Sequence, residues 1–481
     1  MKNLIAGQWV DASDGKVIEV TNPATNEKID TVPNATVEDV DRAVKAAQEA
    51  QKGWAKMSIH ARGEILLKFS DLVEQHKEEL ATLLCKETGK PITEARVEIG
   101  QQKLFVHGYV EKSRHMYGNV IPAGSEPGQE KTIQITEQCP LGVVACIIPF
   151  NFPSDLFGQK VPSALVMGNA VIVKPSTYNP LTLTKYCELL QEAGVPAGVI
   201  SCLSGDGPVT GHALAEHKGV HLVSVTGSTR VGMETMQTAG KNLTHVMLEL
   251  GGNDAFILAA DGDVDLAVEE TVWGRLYNTG QVCCASKRFL IHNSVKDEFI
   301  RKMIEKIKTL KIGNPLDPTV KIGCLINKHA AQVVEEQVQK TVQAGAKIVY
   351  GGRRNGAFFE PTILDGVTKD MDVAKDMEIF GPVIPIIGFD DIDEAIAIAN
   401  QSNFGLCGNI ITRDMKTAFY VSEALEVGGA VINGASFYRA AEMPFGGWKH
   451  SGIGNEGIST TLKEMSRTKT IVLKNILQKK A

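Results

Sequence analysis

From Gly142 onward, short unbroken apolar runs alternate with helix-period segments, and this alternation restricts the fold more than any other feature of the chain. Residues 142–148 (Gly-Val-Val-Ala-Cys-Ile-Ile) and 170–173 (Ala-Val-Ile-Val) contain no polar residue. A strand of that kind is buried on both faces, as in a parallel sheet. A helix reaching to Met167 lies between them, and helices over 181–193 and near 211–216 separate further strands at 198–203 and 219–225. Strand and helix in alternation predict an α/β, doubly wound parallel sheet. A second run of the same type opens near Asn253. It has strands at 254–258, 287–291 and 383–387, and helices at 264–277 (capped by Asp263), 294–309, 328–344 and 392–399. Ahead of both runs, Thr36-Val37-Glu38-Asp39 reads as a capped helix start, followed by helical patterns over 61–88 and 93–116. Prolines and glycines break the pattern over 118–128, and strand-like segments follow at 131–137 and, near the end, at 468–473.

A chain of 481 residues with 43% hydrophobic content is too long for one core and predicts two to four packed domains. Its net charge of −6 offers no electrostatic reason to bind nucleic acid or an anionic membrane. Nine cysteines at irregular intervals, with no paired C-x-x-C, predict neither a disulfide framework nor a metal site, and they fit a reducing compartment. The first fourteen residues do not read as a signal peptide, and no apolar stretch has the length of a bilayer span. The expected location is cytoplasmic.

Three short stretches carry candidate chemistry. Asn278-Thr279-Gly280-Gln281-Val282-Cys283-Cys284 sets cysteines just past a glycine turn; Glu249-Leu250-Gly251-Gly252-Asn253 sets a carboxylate before a glycine pair; Pro149-Phe150-Asn151-Phe152-Pro153 sets an amide between prolines. A thiol, a carboxylate and an amide suffice to attack a carbonyl, activate water and stabilise an oxyanion. Each residue also has a plainer reading. An unpaired cysteine is commonly a small buried apolar residue, a glutamate at a strand end a surface carboxylate, and an asparagine near proline a turn residue.

Together and in this order, the three stretches resemble the aldehyde dehydrogenase superfamily. Lys174-Pro175-Ser176, Gly227-Ser228-Thr229-Arg230-Val231-Gly232, Glu378-Ile379-Phe380-Gly381-Pro382 and Pro444-Phe445-Gly446-Gly447 extend the resemblance over nearly the whole chain. It implies that Cys283, two residues after Gln281, is the nucleophile, with Cys284 a packing neighbour. Glu249 would be the general base for thioester hydrolysis, and Asn151 an oxyanion donor with the Cys283 N–H. Lys174 would bond the adenosine ribose, with Ser176 and Thr177 beside it. Gly207 and Ser228 would lie in the cofactor segment, Glu378 would hold the nicotinamide ribose, and Phe380 would pack on the ring. The resemblance implies no metal.

Many NAD-using relatives have a glutamate where this chain has Thr177. A carboxylate there repels a 2′-phosphate and a threonine can donate to it, so NADP is favoured, with NAD the alternative. Arg230 and Lys160 are further candidates for that phosphate. Arg439, in Ser436-Phe437-Tyr438-Arg439, is the candidate for an anionic substrate group, with Arg275 and His107 as other pocket cations. The expected substrate is a small anionic or hydroxylated aldehyde of the succinate semialdehyde, lactaldehyde or glyceraldehyde 3-phosphate type. Gln159 stands where succinate-semialdehyde-specific relatives often carry arginine, and 6% aromatic content lends no support to a large aromatic pocket. The alternatives are a coenzyme-A-acylating semialdehyde dehydrogenase, which generally lacks a residue like Glu249, and a non-catalytic structural or binding member of the fold. The resemblance further implies two Rossmann-like domains plus a small β oligomerisation element. Residues 1–116 and 137–248 would form the NAD(P)-binding domain, 249–448 the catalytic domain, and 117–136 with 460–481 the oligomerisation element of a homodimer or homotetramer.

Overall fold

A computed structural model describes residues 1–475 of the chain. Its first sheet has eight strands in the spatial order Gln8–Val10, Asn3–Ile5, Ile200–Cys202, Ala170–Lys174, Val143–Ile147, Leu222–Thr226, His245–Glu249 and Gly452–Ile453. The five strands between Ile200–Cys202 and His245–Glu249 are parallel; the outer ones are antiparallel. Every residue of Ala170–Lys174 and of Leu222–Thr226 is buried, as expected for inner strands of a parallel sheet. Each buried Val or Ile contributes about 1.5–3 kcal/mol. From the Val143–Ile147 strand the chain winds first toward Ile200–Cys202, then crosses back to Leu222–Thr226. That reversal opens a crevice beyond the carboxyl ends of Val143–Ile147 and Leu222–Thr226, where doubly wound sheets bind ligands.

The second sheet has seven strands in the order Lys347–Tyr350, Thr362–Val367, Val383–Phe389, Ser286–His292, Asp254–Leu258, Cys407–Ile411 and Gly429–Ile432. All are parallel except the edge strand Lys347–Tyr350. Helices cover both sheets. Thr36 and Asp39 form the reciprocal capping box expected at the start of Val37–Lys56, and Asp263 caps Val264–Thr271.

Two expected helices differ in detail. The pattern over 61–88 is two helices, Ile59–Gln75 and Lys77–Thr88, parted at His76. The helix expected over 264–277 ends at Thr271 and loosens into a wide turn over Val272–Leu276, because the chain ahead of Cys283 leaves helical geometry altogether. The terminal strand Ser466–Leu473 pairs residue for residue with Ile133–Pro140, in a three-stranded antiparallel sheet with Val120–Ile121. It is an edge strand of that sheet with Ile471 and Val472 exposed, and residues 476–481 of the expected 460–481 segment lie outside the described residues. No helix among the described residues is long and apolar enough to cross a membrane.

A buried cation joins the elements around the second sheet. Arg288 donates to the carbonyls of Asn253 at 2.6 Å, Ala374 at 3.2 Å, and Ile398 and Ala399 at 2.8 Å each, the last two in the final turn of helix Ile392–Asn400. A cation is favoured at that end of a helix. Arg288→Met would strand four buried carbonyls. It is expected to lower stability by about 3 kcal/mol or more, measured by chemical denaturation. A change below about 1 kcal/mol would mean that the carbonyls find other partners.

Candidate active site

The nucleophile predicted from sequence follows a strained turn. Asn278 (φ 49°), Thr279 (φ 55°) and Gly280 (φ 78°) are all left-handed. Two consecutive non-glycine residues there cost about 1–2 kcal/mol each. The surroundings enforce the turn. Glu94 accepts from the Asn278 N–H at 2.8 Å, and the Asn278 side chain donates to the carbonyls of Asn151 at 2.9 Å and Gln281 at 3.2 Å. Gln281 in turn accepts from the Ile326 N–H at 2.9 Å. A Cβ on Gly280 would lie 2.3 Å from the Gly381 carbonyl oxygen, so only glycine fits. The turn delivers a half-buried Cys283 to a small apolar cluster around Val282, Leu406 and Phe445, against which Phe152 and Phe437 also pack. A hydrogen bond with the Cys284 thiol holds the Cys283 thiol below the usual range. Burial opposes this shift, and Lys287 and Arg439 assist it; Cys284 is pushed up in turn.

Asn151 sits just past the Val143–Ile147 strand, in the crevice. Its carbonyl is gripped by two buried donors, Lys90 Nζ and Asn278 Nδ2, each at 2.9 Å. Lys90 is ion-paired to the buried Glu98, which accepts from the Ser154 N–H at 2.8 Å and so caps helix Pro153–Val166 from a neighbouring helix. The residues flanking Asn151 point into two different aromatic groups. Phe150 packs edge-on against Tyr178 and Phe380, with centroids 6.1 and 6.0 Å away. Phe152 packs against Tyr277 and Phe437, and Phe437 against Trp273. The low overall aromatic content therefore misleads about this pocket, since composition is blind to clustering.

Glu249 ends its strand, 2% exposed, and neither carboxyl oxygen has a partner in the protein. Burial, reinforced by the nearby Glu456 carboxylate, raises its pKa well above the usual carboxylate range. The glycine pair after it serves packing inside the protein. A Cβ on Gly251 would lie 2.7 Å from a Glu378 carboxylate oxygen, and one on Gly252 2.8 Å from the Cys283 carbonyl oxygen. Below Glu249, Glu456 bridges Lys160 Nζ and Arg439 Nη2, both at 2.7 Å. Burial opposes ionisation of Glu456, yet these two cations hold its pKa down. Lys160 is thus a buried ion-pair partner, correcting its expected place near a cofactor phosphate. Arg439 is half-buried, with its guanidinium 4.1 Å from the Phe445 ring centroid and its Nε unpartnered.

The other cations suggested for the pocket are placed elsewhere. Arg275 is fully buried and donates to the Val383 and Ile379 carbonyls, while His107 is on an exposed helix face. Arg230 is exposed and paired with Glu234.

On the cofactor side, Lys174 ends its strand almost fully buried. Burial brings its pKa down to about 8, and the ammonium meets only the Pro175 carbonyl, at 3.1 Å. Ser176 and Thr177 follow at the surface, Ser176 accepting from the Tyr178 N–H. Gly207 opens the turn Gly207–Gly211, which packs beside Lys174, and Ser228 caps helix Thr229–Gly240. The buried Thr226 hydroxyl just ahead of Ser228 has no protein partner. An under-used ammonium, an orphan hydroxyl and a helix N-terminus at the crevice fit a dinucleotide. Glu378, ion-paired to Lys287 at 3.1 Å, and the half-buried Phe380 lie between this region and Cys283. No cluster of metal-ligating side chains occurs among the described residues.

A sequence profile of the aldehyde dehydrogenase family matches residues 9–471. The chain belongs to the aldehyde dehydrogenase family. It is 38% identical to the lactaldehyde dehydrogenase of Methanococcus aeolicus, covering 98% of this chain and 99% of that one. It is 39% identical to the 3-sulfolactaldehyde dehydrogenase of Priestia megaterium, covering 98% and 97%. Its fold superposes on an E. coli NADP-dependent enzyme with a TM-score of 0.95 at 36% identity, covering 98% of each chain. The chain is therefore an NAD(P)-dependent aldehyde dehydrogenase. The candidate site also contains Lys90, Glu98, Lys287 and Glu456, none of which the sequence reading singled out. Only Glu456 had a local signal, shortly after the Pro444-Phe445-Gly446-Gly447 motif.

Asp254, 2% exposed beside this site, provides a test of its dryness. Burial raises its pKa from 3.8 to about 8, with Lys287 and the Cys407 N–H opposing. Over that window the folded protein holds a proton that the unfolded chain has released, so stability falls as pH rises. Asp254→Asn is expected to lose less Tm than the parent between about pH 5 and about pH 9. Equal losses would show that Asp254 is ionised in the fold.

Proposed function

We propose that this aldehyde dehydrogenase oxidises a small hydroxylated or anionic aldehyde of the lactaldehyde type to its acid, through a thiohemiacetal and then a thioester on Cys283. The observation that carries the substrate class is the charge of the buried cluster beside the sulfur. Lys160 and Arg439 share the single carboxylate of Glu456, burial favours the neutral form of Glu249, and the Arg439 guanidinium retains an unpartnered N–H. A carboxylate, sulfonate or hydroxyl two or three carbons from the carbonyl suits such a donor. The likeness to dehydrogenases of lactaldehyde and 3-sulfolactaldehyde supports the same class.

In the proposed cycle the Cys283 thiolate adds to the aldehyde carbon, and the Asn151 amide and the Cys283 N–H hold the oxyanion. NAD(P)+ supplies the hydride acceptor, leaving a thioester on Cys283. Glu249, once deprotonated, takes a proton from water; the hydroxide adds to the thioester, the carbon–sulfur bond breaks, and the acid leaves. The balance is RCHO + NAD(P)+ + H2O giving RCOO−, NAD(P)H and two protons. Lys174, Ser176, Thr177, Gly207 and Ser228 would hold the adenosine and phosphate side, and Glu378 and Phe380 the nicotinamide side. Thr177 favours NADP+ because it places no negative charge opposite a 2′-phosphate.

Initial rates of nicotinamide reduction across an aldehyde panel, with each cofactor, test this reading. Cys283→Ala is expected to abolish turnover. Arg439→Leu should raise KM for lactaldehyde and its anionic analogues by ~10-fold or more, with little effect on unsubstituted propanal; equal effects on both would remove Arg439 from recognition. Glu249→Gln should retain a burst of one reduced cofactor per site, with steady turnover down ~10²–10⁴-fold. The parent's steady rate should climb with pH through the raised pKa of Glu249, and absence of a burst in the variant would count against thioester hydrolysis as its step. Thr177→Glu should shift the kcat/KM ratio toward NAD+ by ~10-fold or more, and an unchanged ratio would sink the NADP assignment.

A further inference from the structure

Lys287 is 1% exposed, yet its ammonium joins both halves of the site. It donates to the carbonyl of Cys283, pairs with Glu378 Oε1 at 3.1 Å, and lies 5.8 Å from the Phe380 ring centroid. One cation thus touches the main chain of the candidate nucleophile and the carboxylate expected to meet the nicotinamide ribose. Few other charges face it. Asp254 is nearby but has a raised pKa that favours its neutral form at neutral pH, and Arg288, also near Asp254, is engaged by four main-chain carbonyls. Around the sulfur stand Cys284, Cys407, Arg439 and the buried Glu249. Glu378, 22% exposed at its side chain, is therefore the counter-charge to Lys287, and the one that a ligand can reach. A buried charge acts over several ångströms with little screening, so whatever engages Glu378 alters the field that Lys287 exerts on the thiol.

We infer that Lys287 is a positioning residue coupling the two sites: it holds the Cys283 loop by its carbonyl, and it raises the thiolate share of Cys283 when Glu378 turns to a hydroxyl-bearing ligand. The sign follows from charge. Ribose hydroxyls donating to Glu378 compete with Lys287 for the carboxylate, and the less neutralised ammonium then favours the anionic sulfur. The inference rests on Cys283 being the nucleophile, and it goes beyond that reading by assigning a residue that touches neither the substrate carbon nor the hydride path.

The test is the pH dependence of Cys283 alkylation by iodoacetamide, with the modified peptide identified by mass and aldehyde oxidation followed in parallel. It is run on the parent, Lys287→Met and Lys287→Arg, each without cofactor and with saturating NADP+ or NAD+. Without cofactor, the Met variant should show its alkylation midpoint about one pH unit higher, equivalent to ~10-fold slower labelling at neutral pH. The Arg variant should stay near the parent. Cofactor should lower the parent's midpoint and leave that of the Met variant unmoved. Should Lys287→Met fail to fold, Glu378→Gln replaces it: removing the counter-charge should lower the midpoint without cofactor and abolish the response to cofactor. A parental midpoint and parental cofactor response in Lys287→Met, or in Glu378→Gln, overturns the coupling alone. Alkylation of Cys283 that leaves aldehyde oxidation intact overturns the nucleophile assignment and the coupling with it.

Discussion

The Asn151 carbonyl accepts hydrogen bonds from Lys90 and Asn278, and through it the ends of two sheets meet. Asn151 follows a strand of the first sheet, Asn278 belongs to the turn that leads into the second, and Lys90 comes from the helical segment ahead of both. These donors hold the main chain and leave the Asn151 side-chain amide out of the grip. The same junction sustains the left-handed pair Asn278 and Thr279, a conformation that persists only where neighbours over-determine it. Glycines at 251, 252 and 280 allow the chains to close to distances that a Cβ would forbid.

Around that junction the charges are buried and arranged in pairs. Lys90 with Glu98, Lys160 with Glu456 and Arg439, and Lys287 with Glu378 all lie within or beside the crevice. Buried ion pairs are a poor source of stability, since desolvation offsets most of their attraction. Here they flank one thiol and one orphan carboxyl: Lys287 and Arg439 assist the Cys284 hydrogen bond in lowering the Cys283 thiol, while burial, with Glu456, raises Glu249 against Arg439 and Lys160. A lowered thiol and a raised carboxyl suit an attack followed by a hydrolysis. Aromatic groups flank Asn151 on either side, and a low-dielectric wall of that kind lengthens the reach of nearby charges.

Particular residues show how much could be read beforehand. The unbroken apolar runs at 142–148 and 170–173 reported their own burial, and the Thr36–Asp39 cap reported its own helix start, because both signals are local. The ordered motifs around Asn151, Glu249, Cys283 and Glu378 were legible for a similar reason: each sits at the end of one element. Three-residue strands such as Asn3–Ile5 carry too little pattern to register. Lys160 and Arg275 were misplaced because sequence shows a charge and not its partner, and both turned out to be buried and bonded to distant segments.

The sequence by itself determined the class of fold, the family and the side chains able to carry its chemistry, since these depend on periodicity and on short motifs that each element contains whole. Tertiary structure alone decided which charges face one another. Glu456 meets Lys160 across 296 residues, Asn278 meets Asn151 across 127, and Lys287 meets Glu378 beside a glycine pair whose Cβ atoms would crowd the Glu378 carboxylate and the Cys283 carbonyl. Electrostatic energy depends on separation and on the exclusion of water, and neither exists until the chain has packed.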